Sequence, residues 1–297
     1  MTDPPLALPP TAAASSSPFV RYLLFLMATR TALFNVMFKA AEKAARGLKR
    51  DFGEVENLQV SRKGPADFVS NADLKAEKVL KEELQKARPG YGFLMEESAE
   101  VPATDESGRR WIIDPLDGTT NFLHGLPHFA ISIALEERGE IIAGLVYDPI
   151  KDDLFHAEKG TGAWHNDHRL RVSARNRMSE CLIATGAPFA GKGDRGQFLG
   201  EIDAVMAETA GIRRWGAAAL DLAYVAAGRF DGFWERGLSS WDIAAGLILV
   251  REAGGYVSEM NGKAIGLASP SILASNNAIH TDLMKLLRKP LSNQKAQ

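Results

Sequence analysis

The stretch WIIDPLDGTTNF, residues 111–122, carries three apolar residues straight into two aspartates, Asp114 and Asp117, three positions apart. Two ionised carboxylates held together repel each other strongly unless a cation or a proton lies between them. Oxygen-rich clusters of this kind suit hard cations such as Mg²⁺. Pro115 fixes φ and withholds an N–H, so the strand is expected to turn there, leaving the Leu116 carbonyl free to point at the same ion. Gly118, Thr119 and Thr120 follow at an expected helix start, where unpaired backbone N–H groups can cradle a phosphate. The alternative is a surface turn with a capping aspartate, because Asp-Pro and Asp-Gly are common turn dipeptides. That alternative does not explain an apolar strand feeding into both acids.

Other acids also stand at the ends of apolar elements. Glu96 and Glu97 close GFLMEES, Asp242 follows Trp241 at the start of WDIAAGLILV, and Asp73 begins a helix after PADFVSNAD. Singly, Glu96–Glu97 could be a solvated loop pair, and Asp242 and Asp73 could be first-turn or N-cap acids. Jointly, four acidic ends of apolar elements read as a metal site.

The elements that must position these acids follow from periodicity. In residues 31–50, Leu33, Val36, Met37, Ala40, Ala41, Ala44 and Leu48 share one helical face, with Thr31 as N-cap. SRKGPADFVSNAD is loop or short extended structure. A second helix is expected from about 71 to 87, with Val79, Leu80 and Leu84 inward, ended by Pro89–Gly90. From Trp111 to Trp164 the runs WIID, FAISIALEE, EIIAGLVYD and DLFHAEKGTGAW read as strands, with a hairpin at Arg138–Gly139. After Leu182 strands and helices alternate: CLIATG, helix 197–210, IRRWG, helix 218–227, DGFWE, helix 242–253, YVSEM, helix 279–287. These proportions argue for a layered α/β or α+β sandwich, with an antiparallel-rich half over about 29–165 and an α/β half over about 166–290. Both halves are expected to form one catalytic unit, residues 29–290.

Composition narrows the remaining classes. The chain has 297 residues, 45% hydrophobic and 24% charged, with a formal net charge of −2, so no global basic field points to nucleic acid. The single cysteine, Cys181, cannot form an internal disulfide or build a cysteine zinc or redox site, and it reads as a small buried hydrophobe. Residues 1–28 read as a disordered tail or an over-extended start. FVRYLLFLM within it is too short to span a bilayer and fits a signal peptide poorly, so a cytoplasmic location is expected, with membrane association of that tail as the alternative. GKGDRG (191–196) lacks the spacing of a phosphate-binding P-loop. His165 and His168 belong to an expected hairpin turn, His124 and His128 to a loop or rim, and Arg213–Arg214 to a surface edge or partner patch.

The motifs together resemble the inositol monophosphatase family of Mg²⁺-dependent, lithium-sensitive phosphatases, in particular its bacterial branch. The resemblance covers about residues 31–290. It rests on WIIDPLDGTTNFLHGLP (111–127) and WDIAAGLILVREAGG (241–255), with KGPADFVSNAD, MEES, GAAALDLAYVAAGRFDGFWERGL and ILASN in order. Haloacid dehalogenase-type phosphatases are a distant second. Their strand ends in Asp-x-Asp-Gly-Thr, and Asp114-Pro-Leu-Asp117-Gly-Thr has one residue too many and lies far from the start of the chain.

The resemblance implies a layered α-β-α-β-α sandwich and two to three Mg²⁺ ions per site. Glu96, Asp114 and the Leu116 carbonyl would hold one ion, Asp114, Asp117 and Asp242 a second, and Glu96 with waters a third. Thr119, supported by Asp73, would orient and deprotonate the attacking water, and the Gly118 and Thr119 N–H groups would hold the phosphate. Asp117, Ala218 and Glu235 would contact the hydroxyls of the alcohol. Lys63 and Glu97 are further candidates at the site's mouth, with a solvated loop lysine as the plain reading of Lys63. The substrate class implied is myo-inositol monophosphate. Ser239 and Ser240 stand where vertebrate members carry His and Cys, which leaves histidinol phosphate and fructose 1,6-bisphosphate as alternatives on the same scaffold. The family also implies a homodimer. Some bacterial relatives act as accessory proteins of transcription complexes, which is the non-enzyme alternative.

Overall fold

The first helix, α1 (Ala32–Phe52), begins where Thr31 takes extended backbone and its hydroxyl accepts from the Phe34 N–H at 2.9 Å. The computed structural model describes residues 31–54, 60–64, 67–189 and 193–288. The expected tail 1–28 and most of the GKG of GKGDRG lie outside these. Along α1 the buried residues are Phe34, Met37, Ala40, Ala41, Ala44, Ala45 and Leu48, the 3.6-residue repeat of one apolar face. Leu33 and Val36 flank that face, partly buried.

The stretch expected as loop or extended structure forms an antiparallel pair, β1 (Val60–Gly64) and β2 (Asp67–Ser70), leading directly into α2 (Asn71–Ala87). Both α1 and α2 lie on one face of a seven-stranded sheet. Its strands run in sequence order: β3 (Gly92–Met95), β4 (Arg109–Asp117), β5 (Ala130–Glu137), β6 (Glu140–Asp148), β7 (Asp153–Glu158), β8 (Gly162–His165) and β9 (His168–Arg169). Only β3 and β4 pair in parallel. Arg138 and Gly139 both take positive φ, +51° and +89°, which turns β5 into β6 at the expected hairpin. The run DLFHAEKGTGAW, read as one strand, is two, broken at Gly160, whose φ is +80°.

A second sheet holds five strands in the order β11 (Gly211–Arg213), β10 (Leu182–Thr185), β12 (Gly232–Arg236), β14 (Ser271–Ser275) and β13 (Tyr256–Ser258). Strand β10 is parallel to both neighbours, and β14 is antiparallel to both of its own. Helices α5 (Ala218–Ala226) and α6 (Ser240–Glu252) lie between the sheets, and α4 (Arg195–Met206) and α7 (His280–Leu287) cover the outer face of the second. The order of layers is therefore helix, sheet, helix, sheet, helix, as the motifs implied.

Side-chain alternation divides the interior between these layers. On β4, Trp111 and Ile113 face α1 and α2, while Ile112 faces the central helices. On β12, Phe233 faces the central helices and Trp234 the outer ones. Residues 243–250 of α6 are buried on every side, which explains why its sequence is apolar all round. Cys181 lies buried in the outer core, where burial pushes its thiol up to about 11. Among the described residues, no helix is long and apolar enough to cross a membrane.

Candidate functional site

Strand β4 answers why two aspartates three apart can share one site. In a regular strand residues i and i+3 face opposite sides. Here Asp114 pairs with Ser132 and Asp117 with Ala130, so three steps on β4 match two on β5. The extra residue is a β-bulge at Pro115–Leu116, and it restores the parity of the two carboxylates. A turn was expected after Pro115. The strand instead continues through the bulge to Asp117. Asp114 is 2% exposed, and its Oδ1 accepts the Leu116 N–H at 2.9 Å.

Asp117 reaches across to the start of α5, where its two oxygens accept the N–H groups of Ala218 at 3.2 Å and Ala219 at 2.8 Å. An acid here meets unpaired amides and the positive end of the helix dipole. The Ala218 N–H is thereby committed to Asp117, and Ala218 itself is buried. Gly118 follows at φ +92°, ψ 34°, a left-handed conformation. A Cβ there would also press on the His128 carbonyl at 3.1 Å and the Ala217 methyl at 3.3 Å.

The short helix α3 (Thr119–Leu123) begins at Thr119, whose Oγ1 lies 3.1 Å from Asp73 Oδ1 and 3.0 Å from the Leu116 carbonyl oxygen. Asp73 comes from the first turn of α2 and is fully buried. One turn later on the same face, buried Glu77 accepts the Glu97 N–H at 2.8 Å and the Ser98 hydroxyl. Glu77 thus pins the loop carrying Glu96, whose own N–H bonds the Ile113 carbonyl at 3.3 Å. Asp242 lies in the first turn of α6, with its Oδ2 accepting the Ser239 N–H at 2.6 Å. Ser132, opposite Asp114, bonds the Trp241 carbonyl at 3.3 Å and ties β5 to that helix start.

Glu235 projects from the end of β12 over Gly186, just past β10. A Cβ on Gly186 would overlap the Glu235 carboxylate. On either side of Glu235, Trp234 and Arg236 turn to the outer face and bond buried Glu201 of α4, at 3.2 Å through Trp234 Nε1 and at 2.9 and 2.7 Å through Arg236. Lys63 falls on β1, and its side chain is outside the described part of the structure. His165 bonds Asp153 at 2.7 Å and stacks on Phe155, and it serves the sheet. His128, expected in a loop or rim, is half-buried edge-on to Trp215, and burial pushes it down to about 4.

Charge repulsion links the acids. Burial, then the charges of Glu96, Asp117 and Asp242, hold the Asp114 carboxyl well above the usual carboxylate range. Burial pushes Asp117 up to about 7, against the pull of the Ala219 and Ala218 N–H groups. Burial, then Asp242 and Asp117, push Glu235 up to about 8, opposed by Arg214. Among the described residues, no three His, Cys, Asp or Glu side chains are already drawn together as the ligands of one ion. The donor set nevertheless fits a hard divalent cation: buried carboxylate oxygens whose strongest mutual effect is repulsion.

Sequence reasoning missed Glu77, Gly186, Glu201 and Asp221. Glu77 could have been found as the second acid at i, i+4 from Asp73. Asp221 is 1% exposed on α5, with Oδ1 unpartnered among the described residues, and burial followed by Glu235 and Asp117 raises it well above the carboxylate range.

Comparison with known proteins agrees with this arrangement. A family model described as the inositol monophosphatase family matches residues 29–292. An inositol-1-monophosphatase of Mesorhizobium japonicum is 60% identical over 263 residues, 89% of this chain and 98% of that protein. The Nus factor SuhB of Escherichia coli is 42% identical over 261 residues, 88% and 97%. The crystal structure of extragenic suppressor protein suhB from Bartonella henselae superposes with a TM-score of 0.85 at 57% identity, covering 88% of this chain and all of that one. The chain belongs to the inositol monophosphatase family.

Proposed function

We propose that the chain is a Mg²⁺-dependent phosphomonoesterase that hydrolyses myo-inositol monophosphate to inositol and inorganic phosphate. The observation that carries this reading is the mutual repulsion of Glu96, Asp114, Asp117 and Asp242, buried acids with a phosphate-sized helix start at Gly118–Thr119 beside them. Glu96, Asp114, the Leu116 carbonyl, Asp117 and Asp242 would hold two to three cations. When bound, such cations supply Lewis acidity that neutralises phosphate charge and makes a nearby water more acidic.

The chain's own groups do the rest. The Thr119 hydroxyl, between Asp73 and the Leu116 carbonyl, orients the attacking water and passes its proton toward Asp73. The water oxygen forms the new bond to phosphorus, the bond from phosphorus to the ester oxygen breaks, and the departing alkoxide takes up a proton. The Gly118 and Thr119 N–H groups hold the phosphate oxygens. Glu235, and the edge formed by Asp117 and Ala218, face the alcohol, where a carboxylate can accept two ring-hydroxyl bonds. Glu97 and Lys63 stand as outer contacts, and residues 29–290 act as one cytoplasmic catalytic unit, as a homodimer.

The test is phosphate release from myo-inositol 1-phosphate, histidinol phosphate, fructose 1,6-bisphosphate and 3′-phosphoadenosine 5′-phosphate. Inositol phosphate should lead in kcat/KM by about tenfold or more, equal to about 1.4 kcal/mol, with inhibition by Li⁺. A lead by another ester would overturn the role given to Glu235 and leave the hydrolysis intact. The 42% identity to a protein named a Nus factor favours a second reading, a role in a transcription complex. Recovery of RNA polymerase factors in a pull-down from native extract supports it, and their absence counts against it.

A further inference from the structure

The cleft is larger and more apolar than a cyclitol phosphate requires. The cavity that Glu96, Glu235 and Asp242 line has a volume of about 460 Å³, and the same cavity is lined by Pro188, Phe189, Phe198, Leu238 and Trp241. That volume falls within the range of pockets that enclose drug-sized ligands. An inositol ring carries a hydroxyl on every carbon, and such a molecule gains little from an aromatic and aliphatic wall, because its polar groups lose water without gaining partners. Phe189 is 39% exposed in the free protein, apolar surface that a ligand would cover. Three elements contribute to this wall: the segment after β10, the first turn of α4, and the approach to α6. They bring it into one cavity with the carboxylates of the reacting centre, so its occupant is continuous with the substrate.

We infer that this wall is a subsite for an apolar or aromatic ring on the leaving alcohol, so that the substrates of this chain extend to phosphomonoesters of ring-bearing polyols. The inference rests on the phosphatase reading above and adds the alcohol class to it. Phosphate and the adjoining hydroxyl stay with Gly118, Thr119 and Glu235, and the ring lies against Phe198 and its neighbours. Burying one ring face there adds apolar contact and aromatic stacking to binding.

A matched pair of esters tests this: glycerol 1-phosphate and 3-phenoxy-1,2-propanediol 1-phosphate, which differ only in the ring. With saturating Mg²⁺ the wild-type protein should give a kcat/KM about tenfold higher for the phenoxy ester, the effect expected of one well-buried ring. Phe198→Ala should erase that ratio and Phe198→Tyr should restore it. Equal kcat/KM for the two esters in the wild type overturns the subsite, even if Phe198→Ala proves unfolded by circular dichroism. A ratio that survives in a folded Phe198→Ala overturns it as well. Turnover of neither ester, nor of myo-inositol 1-phosphate, overturns the phosphatase reading itself, and the subsite with it.

Discussion

At the scale of single residues, Thr119 carries the proton chemistry. Its hydroxyl sits between a buried carboxylate and a backbone carbonyl, a geometry that fixes the rotor and leaves one lone pair for a water. Thr119→Val should keep the fold and lower kcat by about 10²-fold, the lower end for loss of a positioned proton-transfer group, with KM little changed. Thr119→Ser should recover most of it. Steady-state kinetics at saturating metal check this, and a purely structural role would show as a loss of melting temperature instead. The acids of this site were legible in the sequence because each ends an apolar run. The residues that hold them were not: Glu77 and Glu201 look like ordinary helix acids until the fold shows which loop and strand they bond.

At the scale of elements, position comes from a bulge, a hairpin and helix starts. The bulge at Pro115–Leu116 was read as a turn because a proline withholds its N–H wherever it stands, and only pairing with β5 distinguishes the two. Strand β14 was missed: ILASN was seen as a motif but is too short to announce a strand, and its five residues are fixed by neighbours on both sides. The paired strands β1 and β2 are likewise defined by each other. Gly186 makes an element-level prediction. Because a Cβ there would overlap the Glu235 carboxylate, Gly186→Ala should push that side chain aside. KM for inositol phosphate should rise about tenfold, the scale of one charged hydrogen bond lost, with kcat less affected. An unchanged KM would separate Glu235 from substrate recognition.

At the scale of the whole molecule, the layered order was legible from the alternation of strand and helix patterns, because each sheet face and helix stripe must be covered. The site lies where the layers meet, fed by α2, β4, the central helices α5 and α6, and β12. Gathering acids there costs stability when no cation is bound. Glu235 shows the sign. Its folded value, about 8, lies above its ordinary 4.5, so the folded state holds the proton more tightly than the unfolded one. Its contribution is fully present below pH 4.5 and is lost as pH rises through 8. The melting temperature of metal-free protein should therefore fall across that window, and Glu235→Gln should flatten the fall. An identical pH slope in the variant would contradict the raised value.

Asp114 is the residue whose charge is opposed most directly by its neighbours, and it stands at the centre of the proposed cation site. The most direct measurement is phosphate release from myo-inositol 1-phosphate while Mg²⁺ is titrated in and then removed with a chelator, wild type beside Asp114→Asn. Turnover should rise with Mg²⁺ and vanish with the chelator. Asp114→Asn should fold, melt no lower than wild type without metal, and lose roughly three orders of magnitude in kcat/KM, the upper range for loss of an electrostatic catalytic group. Turnover that ignores the chelator, or a folded Asp114→Asn that keeps wild-type activity, would contradict the cation-centred chemistry.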